Sequence, residues 1–184
     1  MGYALLIIDM INEFVKGNLR VKGAKEIIPV IRRLLDTARE RGIAVIYAND
    51  SHKPTDPEIQ LWGRHAMEGT EASEVVEELK PAEGDYLVKK TTYDAFFGTE
   101  MEELLRKLSV DVVCITGVVT SICCQHTAAS AFFRGFKVIV VSDATADLDE
   151  ETHKKALEYM RKIYGARILT SEELMKEWKS TAKR

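Results

Sequence analysis

Val110-Asp111-Val112-Val113-Cys114-Ile115-Thr116 runs directly into Gly117-Val118-Val119-Thr120-Ser121-Ile122-Cys123-Cys124-Gln125-His126-Thr127. The first part is an apolar run of strand length. The Ala-rich stretch that follows, Thr127-Ala128-Ala129-Ser130-Ala131-Phe132-Phe133, reads as a helix closed by Gly135. The stretch is therefore one strand-to-helix unit. It places Cys123 in the first turn of a helix leaving the carboxyl end of a strand. Backbone N–H groups and the positive end of the helix dipole lie there. A thiol so placed is expected to have its pKa lowered toward the nucleophilic thiolate. The same N–H groups are suited to an oxyanion.

Outward from this unit, strand and helix patterns alternate. Tyr3 to Ile8, Ile43 to Ala48, Tyr86 to Val88, Phe136 to Val141 and Ala166 to Leu169 read as strands. Ala24 to Arg41 has helical periodicity and stops at Gly42. Asp50 to Gly69 reads as irregular, and a helix is expected from about Glu71 to Leu79. Thr99-x-x-Glu102 and Thr170-x-x-Glu173 have capping-box spacing, and a further helix spans about Glu150 to Tyr164. Alternation of this kind predicts a single α/β domain over residues 1–184, with a parallel sheet of about six strands and helices on both faces. Ligands of such sheets bind beyond the carboxyl ends of the strands. That rim collects Asp9, Asp50, His52, Lys89, Lys90, Cys123 and Asp143.

Composition narrows the partners. The chain has 184 residues, 46% hydrophobic and 30% charged, with a net charge of −3 and no basic block, so nucleic acid is not an expected partner. No apolar run approaches the length needed to span a membrane. The first strand starts almost at Met1, and the 3 cysteines make a poor disulfide framework, which together suggest a cytoplasmic protein.

Taken singly, the candidate residues have ordinary structural readings. Cys123 reads equally as a small buried apolar residue, Asp9 as a turn cap, and Lys90 as a solvated strand-end lysine. Together they suit nucleophilic chemistry. Asp9 would be the acid/base, and Lys90 would favour both anions. A Cys123–His126 dyad is a rival arrangement. A redox sensor using the adjacent Cys123 and Cys124, or a non-catalytic scaffold, is a rival class of function.

Three segments carry a resemblance: Ile7-Ile8-Asp9-Met10-Ile11-Asn12-Glu13-Phe14, Lys90-Thr91-Thr92-Tyr93-Asp94-Ala95-Phe96-Phe97-Gly98-Thr99, and Gly117 to Thr127. In order and spacing they resemble the isochorismatase-like cysteine hydrolase superfamily over nearly the whole chain. The resemblance implies that superfamily's fold and puts its catalytic residues on Asp9, Lys90 and Cys123. Lys90 rather than Lys89 fits, being three residues before the aromatic Tyr93. It also implies a cis peptide between Val118 and Val119, which turns the Val119 N–H toward an oxyanion beside that of Cys123. Ile11, where Gln is frequent, and Cys124, where Val is usual, depart from the pattern.

Nicotinamidases of that superfamily hold a metal with Asp-x-His and a later His. Asp50-Ser51-His52 and the His65 of Trp62-Gly63-Arg64-His65 are similar to that pattern. Side chains two apart on an extended chain share a side, and two imidazoles with a carboxylate suit zinc or another divalent metal. The resemblance then implies nicotinamide as a small-molecule amide substrate, with Phe14 and Trp62 flanking its ring. Ureido, carbamoyl or other amides, and isochorismatase-type chemistry, are the alternatives. It further implies a homo-oligomer, a dimer or tetramer.

Overall fold

The computed structural model describes residues 1–180. Six parallel strands form one sheet in the order β3-β2-β1-β4-β5-β6. The strands are β1 (Tyr3–Ile8), β2 (Ala44–Asp50), β3 (Tyr86–Lys90), β4 (Val112–Val118), β5 (Lys137–Ala146) and β6 (Arg167–Leu169). The helices are α1 (Asn12–Lys16), α2 (Ala24–Glu40), α3 (Pro57–Trp62), α4 (Met101–Lys107), α5 (Gln125–Phe133), α6 (Glu150–Tyr164) and α7 (Ser171–Ser180).

The pleat of β1 shows why both faces are covered. Ala4 to Ile8 are all fully buried. Leu5 and Ile7 enter a core shared with α1, α2 and α7, whereas Ala4, Leu6 and Ile8 enter a second core shared with α4, α5 and α6. A strand buried on both sides reads as a continuous apolar run, as this one does. The stripe Ile27, Ile31, Leu34, Leu35 and Ala38 of α2 fills the first core at helical spacing.

β1 pairs with β2 on one side and β4 on the other, so chain direction away from the sheet centre reverses between β1 and β4. This is the crevice where open parallel sheets take ligands. Gly117 closes it tightly. Its φ is +105°, and a Cβ there would sit 1.9 Å from the Ile8 carbonyl oxygen, so only glycine lets β4 approach β1.

Several expectations change. The segment from Glu71 to Leu79 is two short 3₁₀ turns, Glu71–Ser73 and Glu77–Leu79, and Val75 between them bridges to Ile11. Asp50 to Gly69 is not wholly irregular, because Asp56 and Pro57 open α3. β5 runs on to Ala146 with a register shift against β4, which carries Asp143 off the rim. Its carboxylate instead accepts the N–H and hydroxyl of Ser171, both at 2.7 Å, at the start of α7. Thr170 and Glu173 form the expected capping box, with the Thr170 N–H donating to Glu173 at 2.8 Å. Thr99 bonds the Met101 N–H at 3.2 Å, but α4 begins without the reciprocal Glu102 bond.

Candidate active site

The rim brings Asp9, Asp50, Lys90 and Cys123 together. Asp9 follows β1 at φ +53°, a left-handed conformation that Asp tolerates better than most residues. Its Oδ1 accepts the Asp50 N–H at 2.8 Å, and its Oδ2 lies 2.7 Å from Lys90 Nζ. Lys90 also pairs with Asp50 Oδ1. All three side chains are buried, so the lysine is a caged cation between two carboxylates. Lys89, by contrast, points outward and meets Glu68 at 3.1 Å.

Cys123 does not sit in an α-helical turn. Thr120–Cys124 forms a π turn that leads into α5, and Val118–Val119 is cis. The Cys123 sulfur and one carboxylate oxygen each of Asp9 and Asp50 all lie within 4.8 Å of one another. The expectation of a lowered thiol pKa is overturned. Burial pushes the Cys123 thiol well up, Lys90 opposes this, and the charges of Asp9 and Asp50, with a hydrogen bond to Asp9, add to the rise. Burial and the Asp50 charge likewise push Asp9 up to about 6, against the pull of Lys90. Burial would raise Asp50 too, but Lys90 and His52 hold it below the ordinary value. Lys90 stays well above its ordinary value because Asp50, Asp9 and Cys123 outweigh its burial. The neutral thiol beside a carboxylate is thus the resting pair.

His126 is exposed, and its Nδ1 lies 2.7 Å from the Ile122 carbonyl, which turns it to the backbone rather than to Cys123. Cys124 is fully buried, and burial with the Asp9 charge raises its thiol.

Beside this group lie Asp50, His52 and His65, as the sequence pattern anticipates, and Glu58, which it does not. One ligand atom from each of the four lies within 4.8 Å of the others. His52 Nε2 is buried, 3.5 Å from Asp50 and 3.7 Å from Glu58, too far for good hydrogen bonds. Glu58 Oε1 is also buried without a hydrogen-bond partner among the described residues. The outer nitrogens are held: His52 Nδ1 lies 3.2 Å from Asp56 and His65 Nδ1 2.8 Å from the Gly63 carbonyl. Such outer bonds fix imidazoles with the other nitrogen directed inward, the arrangement common to metal-binding histidines. Two imidazoles and two carboxylates, with His52 Nε2 and Glu58 Oε1 lacking hydrogen-bond partners among the described residues, fit a divalent cation, zinc among them. Glu58 escapes the sequence reading because it lies on α3. The Asp56-Pro57 start was the available signal.

Both groups border one cavity of about 290 Å³. Phe14 and Trp62 line it, with Tyr93, Val118, Val119, Ile122 and Cys123. The Trp62 indole N–H donates to the Tyr93 hydroxyl at 2.8 Å, joining α3 to the loop after β3.

With this geometry in view, comparison with known proteins is decisive on ancestry: the isochorismatase domain model matches residues 3–173. The chain belongs to the isochorismatase family. This family member is 37% identical over 160 residues to Nicotinamidase 3 of Arabidopsis thaliana, covering 84% of this chain and 78% of that one. The N-carbamoylsarcosine amidase structure from Thermoplasma acidophilum is 41% identical, with a TM-score of 0.89 and coverage of 94% and 98%. The pyrazinamidase of Pyrococcus horikoshii, solved in complex with zinc, is 28% identical with a TM-score of 0.86 and coverage of 92% and 99%. The parallel sheet of this isochorismatase-family hydrolase is theirs too, whereas the substrates in their names differ. No helix among the described residues is long and apolar enough to cross a membrane.

Proposed function

We propose that the chain is a cysteine-dependent amidohydrolase of the nicotinamidase type, converting nicotinamide and water to nicotinate and ammonia. The observation that carries this reading is the Cys123 sulfur within 4.8 Å of a carboxylate oxygen of Asp9, itself 2.7 Å from Lys90, on the wall of a cavity that a metal-donor set also borders.

The resting thiol passes its proton to Asp9 as Sγ attacks the amide carbon. Lys90 remains charged throughout and offsets the negative charge shared by the thiol, Asp9 and Asp50. The N–H groups of Val119 and Cys123 receive the oxyanion. Asp9 then gives its proton to the departing ammonia, takes one from water as that water opens the thioester to the acid, and returns it to the released Cys123 thiolate. Asp50, His52, Glu58 and His65 would hold a divalent cation, which when bound supplies a Lewis-acid contact for a ring nitrogen. Phe14 and Trp62 would flank the ring, confining it between apolar walls. The similarity to zinc-bound pyrazinamidase supports this part of the reading.

Arg20 favours a second reading. It is exposed, lines the same cavity and has no ion-pair partner among the described residues. A guanidinium there suits a substrate carboxylate, as in an N-carbamoyl amino acid. Similarity to N-carbamoylsarcosine amidase points the same way.

Ammonia release from nicotinamide, pyrazinamide and N-carbamoylsarcosine separates the two. Chelator-sensitive turnover of nicotinamide, unchanged in Arg20→Ala, supports the first. Turnover of N-carbamoylsarcosine that collapses in Arg20→Ala supports the second. Turnover of any of them that persists in Cys123→Ala overturns the cysteine mechanism.

A further inference from the structure

The π turn that carries Cys123 has no cap of its own. Val119 precedes it and offers no side-chain acceptor, and its first turn contains no acidic residue. Such a turn leaves backbone N–H groups that need partners. The partner comes from the neighbouring strand. Ala146, the last residue of β5, is in register with Val118 at the end of β4, so Asp147 emerges beside the turn.

Asp147 is buried, with 4% of its surface exposed. Its Oδ2 accepts the Ser121 N–H at 2.7 Å. Its Oδ1 accepts the Ser121 hydroxyl at 3.1 Å and the Leu148 N–H at 2.8 Å. Leu148 in turn lines the cavity, as do Ile122 and Cys123 of the turn. One carboxylate therefore ties the turn bearing the thiol to Leu148, another residue of the cavity lining. A second tie comes from α6, where His153 Nδ1 lies 2.8 Å from the hydroxyl of fully buried Thr120.

We propose that Asp147 is the positioning residue that holds the Cys123 turn in register with Asp9, a role that rests on the Asp9–Cys123 partnership proposed above. The carboxylate cannot be exchanged for its amide. Two backbone N–H groups reach different oxygens of Asp147, one each. Asn has a single acceptor oxygen, so either orientation sets its NH₂ against one of those N–H groups. Breaking a buried, charge-assisted hydrogen bond in that way frees the turn. Ser121→Ala removes only the hydroxyl and leaves both backbone bonds in place.

The test is a double-mutant cycle on Cys123 alkylation by iodoacetamide, with the alkylated residue identified by mass spectrometry and folding checked by thermal melts. In the otherwise native chain, Asp9→Asn removes a negative charge from beside the thiol and should speed alkylation at least tenfold. In Asp147→Asn and Asp147→Ala the same change should alter the rate less than threefold, because the thiol no longer faces Asp9. In Ser121→Ala the tenfold effect should persist. A destabilising role alone would leave the Asp9 effect equal in every background, and that result overturns the positioning role while the Asp9–Cys123 partnership stands. If Asp9→Asn changes nothing in the otherwise native chain, the partnership fails and takes this role with it. If neither Asp147 variant folds, the carboxylate is a stability element and the proposal is overturned.

Discussion

Lys90 lies 2.7 Å from Asp9, and neither side chain is accessible to solvent. The lysine also pairs with Asp50. Two buried anions are tolerable only while the cation between them is present, because without it each would bear the cost of leaving water unpaired. The arrangement that suits the chemistry is therefore also a condition for the fold around it.

Lys90→Ala should accordingly lose both activity and stability. Breaking a buried ion pair by removing one partner costs about 3–5 kcal/mol. Lys89→Ala removes an exposed pair with Glu68 and should cost about 1 kcal/mol or less. Denaturant unfolding of the two variants checks this, and equal losses would mean that the lysines are misassigned.

Asp9→Asn should abolish amide turnover yet leave the chain at least as stable as the wild type at neutral pH. Burial, with the Asp50 charge, raises Asp9 from 3.8 to about 6. A carboxyl raised by folding contributes stability that is fully present below the unfolded value and is lost as pH rises through the folded value. The wild type should therefore lose part of its stability between about pH 4 and pH 6–7. The Asn variant, which mimics the protonated form, should not. Melts across this range should converge at low pH and separate above pH 6.

Cys123→Ala should fold normally and release no ammonia. Cys124→Ala should keep its activity but melt lower, since Cys124 is fully buried in the core beside α5. Mass spectrometry of a trapped acyl-enzyme should place the adduct on Cys123. An adduct on Cys124 would overturn the assignment.

Glu58→Gln should weaken binding of zinc at least tenfold, since it replaces an anionic donor with a neutral one. Iodoacetamide alkylation of Cys123 in the metal-free protein should change little, because Glu58 is not among the groups that set the thiol's pKa. Calorimetric zinc titration and alkylation rates read the two effects separately.

Gly117→Ala should prevent folding or cost at least about 3 kcal/mol, from a strained φ together with overpacking. Its Cβ would lie 1.9 Å from the Ile8 carbonyl, between the two strands that frame the crevice. Soluble yield and melting temperature report the outcome.

The order of strands and helices was legible in the sequence because each strand is an apolar run and each long helix a 3.6-residue stripe. Both patterns are local. The residues of the rim were legible too, for Asp9, Asp50, Lys90 and Cys123 stand at or just beyond strand ends, where a parallel sheet gathers its polar groups. Glu58 was not, because α3 is 6 residues long and too short for a periodic signal, and only folding turns its carboxylate toward His52 and His65. Asp143 was misplaced because a register shift in β5 depends on how that strand meets β4. The thiol's proton affinity was the largest reversal. Sequence places Cys123 near a helix start, which favours thiolate, but burial and two nearby carboxylates win. Chain position fixes which groups reach the rim, whereas solvent exclusion and the distances between charges set their protonation, and those exist only in the assembled fold.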